Sequence, residues 1–407
     1  MGAVQKILDV PLDNLLLIFK HLEGETEDQL SLAHTHPIFY KAFGLYASKR
    51  FKSVNFDEFP IAYWSAMLNL CGASVVCIST KLVANAVAMA TLIDEFCPNV
   101  SELFMPIRAR YWHVVKPFIK RMRKLYLLRF ENNYSSISVI RTLRHLPQLR
   151  ILSLHGFRVC NVMRIKELLL LEKLEVVTRV PINLNELCFA MSNLEILQAE
   201  MALINFPNYY PRWPCLRTLS IGWGRFATEL PYMPNLQILS ISVTHTNLRL
   251  SQIFGRSVLQ YANTLQTLRL PQNQCYYPND IQIIAQLKSL KTLQCYFIDN
   301  RSLSSIHLDE LQTLFIPNSP AIRNSGVLGV LRGCKSLRRL DIFDCPLLSP
   351  DLVGPAIKVL KENGVQPDNP LVMTVSSLFG DDIIQLTRSD PTNQVLLLTT
   401  RSVCIHD

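Results

Sequence analysis

From residue 97 almost to the end of the chain one hydrophobic pattern recurs, apolar-x-x-Leu-x-x-Leu-x-apolar. Its eleven copies are CPNVSELFM, MRKLYLLRF, LPQLRILSL, LEKLEVVTR, MSNLEILQA, WPCLRTLSI, MPNLQILSI, ANTLQTLRL, LKSLKTLQC, LDELQTLFI and CKSLRRLDI, starting 20 to 29 residues apart. Of the 22 positions that should be leucine, only Val100 and Val177 depart, and the last apolar site fails only at Arg179. At this spacing Leu216, Leu219 and Ile221 point inward from a turn and a short strand, while the residues between them face outward. So short a strand buries its apolar edge only against the next copy, which predicts a stack where each unit covers the one before. Between strands, ISVIRTLRHL (137–146) and NDIQIIAQLK (279–288) carry apolar residues at helical spacing, so helices are expected to fill the connections. The unit is strand then helix, and the class is α/β.

This pattern resembles the leucine-rich repeat, over roughly 97–375, and GCKSLRRLDIFDCPLLSPDLV (333–353) is similar to its cysteine-containing subtype. The resemblance implies a curved solenoid, with a parallel sheet on the concave side and helices on the convex side. The Asn or Cys expected three residues past the last apolar site appears as Asn133, Asn273 and Cys345, while other copies place Arg108, Phe157, Ile182 or Gly224 there. The register assigns a central outward column of Phe104, Arg129, Ser153, Thr178, Gln198, Ser220, Ser240, Arg269, Gln294, Phe315 and Asp341. The column beside it includes His155, Val180, Tyr296 and Phe343. Aromatic and arginine anchors dominate protein recognition, so Phe104, Arg129, His155, Gln198, Arg269, Tyr296, Phe315, Asp341 and Phe343 are the expected substrate contacts.

Residues 1–50 follow a different, helical period. Pro11 suits a first helical turn and Asp13 its dipole, and Leu12, Leu15, Leu16, Phe19 and Leu22 share a face before Gly24 ends the helix. Thr26 with Gln29 reads as a capping box opening a second helix, and Pro37 opens a third, with Phe39 and Phe43 one turn apart. Three helices in about 40 residues bury little surface alone, so an apolar face shared with a partner is expected. The segment resembles the F-box, whose start appears as Val10-Pro11-Leu12-Asp13 and whose next motif appears as Leu15, Ile18, Phe19 and Leu22. The resemblance implies that Pro11, Leu12, Leu15, Ile18, Phe19 and Leu22 dock on the Skp adaptor and, through it, on a cullin. The same residues could instead cap the open end of the stack, as every solenoid requires. Residues 51–96 are expected to be a helical linker or N-terminal cap, and 376–407 a C-terminal cap or tail.

Composition narrows the classes. With 49% hydrophobic and 18% charged residues, the chain is not globally disordered. The longest apolar stretch, LVANAVAMATLI (82–93), is too short to span a bilayer. MGAVQKILDV lacks the form of a secretory signal, which makes a cytoplasmic or nuclear protein the expectation. Eleven cysteines without paired spacing point to reduced, mostly buried thiols. The net charge of +9 is local, because residues 101–150 hold 11 Lys and Arg against Glu102 and Glu131 alone. Basic and aromatic residues interleave over 108–130 and could bind RNA or a phosphorylated degron, or form a solvated helix face. No phosphate loop, metalloprotease or nucleophile-elbow motif occurs, and His34 and His36 lack further ligands nearby. Neither catalytic residues, metal ligands nor cofactors are expected. Head and repeats together imply the substrate-recognition subunit of an SCF ubiquitin ligase, the alternative being a ligase-independent interaction scaffold.

Overall fold

The structure, a computed structural model, describes residues 10–132, 139–206, 213–244, 249–376 and 395–400. It divides into two compact units, Met1–Thr178 and Arg179–Asp407.

The first unit opens with α1 (Leu12–His21), α2 (Thr26–Thr35) and α3 (Pro37–Arg50). Pro11 stands just outside α1 at φ −55°, ψ 146°, and His36 caps α3 by accepting the Ile38 amide on Nδ1 at 3.2 Å. The expected capping box at Thr26 does not form. Glu25 holds the cap position, so Thr26 already lies inside the helix, and Gln29 turns inward instead. Its Nε2 donates to the Phe19 carbonyl at 2.7 Å, a carbonyl in the last turn of α1.

Next come β1 (Ser53–Asn55), α4 (Ile61–Cys71), β2 (Cys77–Ser79), α5 (Asn85–Phe96), β3 (Glu102–Ile107), α6 (Trp112–Arg121), β4 (Leu127–Asn132), α7 (Ile140–Leu143), β5 (Ile151–His155), α8 (Val159–Val162) and β6 (Lys173–Val177). The six strands pair in chain order, all parallel. Val54, Ile78, Leu103, Leu128, Leu152 and Leu174 stand in register, each at most 1% exposed. Burying each such side chain contributes about 1.5–3 kcal/mol.

Two sequence expectations change here. Residues 51–96 are not a helical linker but two further strand-and-helix repeats. Phe51, Val54 and Phe56, then Val75, Ile78 and Thr80, take the places that Val100, Leu103 and Met105 hold in the next repeat, and all are buried. Phe51, Phe56 and Phe59 pack their rings around Trp64 at centroid distances of 5.3–6.4 Å. Aromatic and β-branched residues fill this core, so a pattern written in leucine passes over it. The second change concerns LEKLEVVTR. Leu152 pairs with Leu174 and Leu154 with Val176, so this repeat begins at Leu168, three residues before Leu171. The shift removes both anomalies, because Val177 and Arg179 are no longer core positions.

The second unit contains β7 (Ile182–Asn183), α9 (Leu184–Cys188), β8 (Ile196–Ile204), β9 (Thr218–Phe226), β10 (Ile238–Thr244), α10 (Leu250–Phe254), α11 (Val258–Tyr261), β11 (Thr267–Arg269), α12 (Pro278–Ile284), β12 (Thr292–Gln294), α13 (Asn300–Ser304), β13 (Thr313–Phe315), α14 (Asn324–Gly333), β14 (Arg339–Asp341), α15 (Val353–Glu362), β15 (Leu371–Val375) and β16 (Leu396–Thr400). From β8 to β16 each strand pairs in parallel with the next, and β7 lies beside β8. Leu197, Leu219, Leu239, Leu268, Leu293, Leu314, Leu340, Met373 and Leu398 form the inward row. The tail therefore contributes a strand, β16, whereas residues 377–394 lie outside the described residues. The expectation of helices in the connections fails between β9 and β10. There Pro231 and Pro234 interrupt an eleven-residue link that runs as turns. Asn273 accepts the Thr244 amide at 3.2 Å and donates to the Thr244 carbonyl at 2.9 Å, and Cys345 Sγ donates to the Ile316 carbonyl. Both thus tie their repeat to the one before; Asn133 lies outside the described residues.

Candidate functional site

In the head, the residues expected to dock divide by burial. Leu15 and Phe19 are fully buried, with the Phe19 ring 5.2 Å from that of Phe43. They hold α1 against α3, so a docked protein meets them only if the head opens. Pro11 and Leu12 are exposed, and Ile18 and Leu22 are half-buried. Leu17, which helical counting from Leu12 leaves off the apolar face, is 52% exposed and enlarges the accessible apolar surface. The signal in the sequence was the unbroken run Leu15-Leu16-Leu17-Ile18-Phe19, longer than one face needs.

On the open face of the first unit's sheet the corrected register places Glu175, not Thr178, beside Ser153, and Val177, not Val180, beside His155. A polar cluster results. His155 Nε2 lies 3.1 Å from Glu175 Oε1 and 3.0 Å from Ser153 Oγ, and Ser153 Oγ donates to Glu175 Oε2 at 2.9 Å. Arg129 Nη2 approaches His155 Nδ1 at 3.4 Å and Glu131 at 3.6 Å. Serine, histidine and glutamate together suggest a nucleophilic triad, but the hydrogen bonds oppose it. A guanidinium only donates, so Nδ1 accepts and Nε2 carries the hydrogen, leaving no lone pair facing Ser153. Burial alone would raise the Glu175 carboxyl, yet the Ser153 hydroxyl, the His155 ring and Arg129 outweigh it and hold it below its ordinary range. The cluster holds Arg129, Glu131 and Glu175 in fixed positions on the open face of the sheet. Beside it Asn55, Ser79, Phe104 and Arg129, four members of the central column, line a depression of about 270 Å³.

The second unit brings together Arg269, Gln294, Tyr296 and Phe315, which line a cavity of about 320 Å³ with Ser240, Ser242, Gln272 and Thr292. Gln294 Nε2 donates to the Tyr296 hydroxyl, and the Arg339 guanidinium lies 5.3 Å from the Phe315 ring centroid. Sequence reasoning missed Arg339, because it sits one residue ahead of the inward Leu340 and was not counted as outward. Gln198 on β8 and Phe343 in the turn after β14 are half-buried and do not line this cavity. Asp341 is corrected: it is 2% exposed, accepts the Phe343 amide at 3.2 Å and shapes the strand end instead of facing a ligand.

In the basic segment 108–130, Val115, Phe118 and Ile119 of α6 are buried. Arg121 pairs with Asp94, Arg123 donates to the His145 carbonyl at 3.2 Å, and Lys124 donates to the Asn99 side chain. Arg108 and Lys116 are exposed to solvent. Among the described residues no group of three His, Cys, Asp or Glu could hold a metal ion, and no helix is long and apolar enough to cross a membrane. Nine cysteines among the described residues carry free thiols, and six of them are buried; burial pushes Cys71, Cys97 and Cys295 up to about 12.

No protein-family model matches the chain, and no curated protein matches it. Among solved structures it is similar to a leucine-rich-repeat protein of Leptospira interrogans, at 16% identity and a TM-score of 0.51, covering 86% of this chain and 95% of that one. It is also similar to an internalin of Listeria monocytogenes, at 15% identity and a TM-score of 0.41, over 61% and 75% of the two chains. A third similarity, to the yeast complex of Rad7 and Elc1, covers 98% of each chain at 14% identity and a TM-score of 0.35. At these identities a likeness bears on fold alone, and only the first is close enough to carry it. With the parallel sheet and the in-register leucine rows, it makes the chain an α/β leucine-rich-repeat solenoid.

Proposed function

We propose that this protein is the substrate-recognition subunit of an SCF-type ubiquitin ligase. Its head docks on the Skp adaptor, and through it a cullin, while the repeats hold a protein for ubiquitin transfer by other subunits, in the cytoplasm or nucleus. The chain supplies proximity, not bond chemistry. The observation that carries this reading is the apolar surface left on the three-helix head, where Leu12, Leu17 and Leu45 are 36–52% exposed beside half-buried Ile18 and Leu22. Exposed apolar surface on so small a helical head supports docking on a partner.

A second reading is a ligase-independent scaffold whose head is a cap. It is favoured by the contacts of the head with the first repeat, where Tyr63 donates to Glu27 and Asn69 to the Tyr40 hydroxyl. Co-purification of the full chain with recombinant Skp adaptor separates the two. Leu12→Asp with Leu17→Asp changes exposed positions and leaves the buried Leu15 and Phe19 intact, so the variant keeps its fold by circular dichroism. Wild-type binding that the variant loses supports the ligase reading; failure of the wild type to bind, beside a receptor that does, sinks it.

A further inference from the structure

We infer that the open face of β11–β14 receives an extended acidic segment of a partner protein, whose carboxylates meet Arg269 and Arg339 beside Tyr296 and Phe315. This deepens the proposal above and rests on the reading that the repeats recognise a protein.

The electrostatics are one-sided. None of the residues lining the 320 Å³ cavity is acidic. The Arg269 side chain is exposed and has neither ion pair nor hydrogen bond among the described residues. Arg339 is exposed as well, and its guanidinium rests on the Phe315 ring without a carboxylate. This differs from the first unit, where Arg129 already faces Glu131 and His155. Arginine presents a planar fork suited to carboxylate oxygens, and two unneutralised forks, one of them over the Phe315 ring, define what they lack, which is negative charge.

Spacing selects the kind of anion. Arg269 is on β11, and the Arg339 guanidinium lies over Phe315 on β13, two strand spacings or about 10 Å away. One carboxylate or phosphate does not bridge that gap. Two carboxylates on the same face of an extended chain, at positions i and i+2, stand about 7 Å apart and come within reach of both long side chains. Ser240, Ser242 and Thr292 offer hydroxyls, and Gln272 an amide, to the backbone of such a segment. Single-stranded nucleic acid fits less well. It needs free ring faces and a track of cations, whereas Arg339 covers Phe315, and Arg269 is the one cation in the central column from Gln198 to Asp341.

The test uses the full-length chain and fluorescence anisotropy. The probes are a labelled twelve-residue peptide with Glu at alternate positions, the same peptide with Gln, and a labelled twelve-nucleotide single-stranded RNA. The expected result is that the Glu peptide binds at least tenfold more tightly than the Gln peptide. Arg269→Gln with Arg339→Gln abolishes the difference, and Lys358→Gln, an exposed change on α15, leaves it unchanged. Equal affinity for the Glu and Gln peptides, or for wild type and the double variant, overturns the inference. So does RNA that displaces the peptide and shows the same dependence on the two arginines. Both substitutions are at exposed positions, so the double variant melts with the wild type and still co-purifies with the Skp adaptor if the head docks there. A protein that binds the adaptor but ignores peptide charge refutes this inference alone; one that does not bind the adaptor refutes the ligase reading.

Discussion

Gly156 has a positive φ of 71°, four residues past Leu152, and a Cβ built there would stand 1.7 Å from the Asn132 carbonyl oxygen. The equivalent places in later repeats carry Phe297, Asn318 and Asp344, also at positive φ, so the left-handed turn belongs to the repeat, while the close approach belongs to position 156. Gly156→Ala should cost about 2–5 kcal/mol, from about 1–2 for the left-handed backbone and about 1–3 for relieving the overlap. Hydrogen exchange of the β5 amides should report that loss as faster opening. Glu175 gives a pH prediction. Its carboxyl is held below its ordinary value of 4.5, so its contribution is present above that value and lost as pH falls through the lower folded one. Below pH 4.5 the melting temperature of the wild type should therefore fall more steeply than that of Glu175→Gln; parallel curves would remove the argument. Neither feature was legible in the sequence. A glycine does not announce which carbonyl lies opposite, and the leucine count put Thr178 where Glu175 stands.

At the scale of elements, periodicity located the starts of the three head helices to within a residue or two, because amphipathic spacing and Pro37 act locally. What it misread was how the helices are joined. The Phe19 carbonyl near the end of α1 has Gln29 as its donor, and Gln29 is 2% exposed. Gln29→Leu should leave that carbonyl buried and unpaired, costing about 1–3 kcal/mol. The check is exchange of the α1 and α2 amides, which should accelerate while those of the repeats do not. Asp280 plays a similar part in the second unit. It is 1% exposed and accepts the Leu250 amide at 2.9 Å and the Tyr277 amide at 3.2 Å, fixing the starts of α10 and α12 together.

For the whole molecule, stability is a sum over neighbouring repeats, so what counts as a repeat decides where a substitution hurts. Ile78 is fully buried in the row of Leu103 and Leu128. Ile78→Ala should cost about 2–5 kcal/mol, as much as Leu128→Ala, since both leave a cavity in the same kind of core. Urea unfolding of the two variants compares them directly. A markedly smaller loss at Ile78 would return residues 51–96 to the status of a linker.

The repeat, its α/β class, the inward leucine rows of ten of the eleven copies and the helical period of the head were legible in the amino-acid order alone. Each of these follows from spacing along the chain, and an apolar period forces its own burial. That Phe51, Val54 and Ile78 belong to the same core emerges from the folded chain, because a core position is defined by the strand beside it and not by the name leucine. The folded chain also decides which outward residues meet. Arg269, Gln294, Tyr296 and Phe315 share one cavity while Asp341, from the same column, is buried, and that difference depends on how neighbouring strands and their exit turns pack.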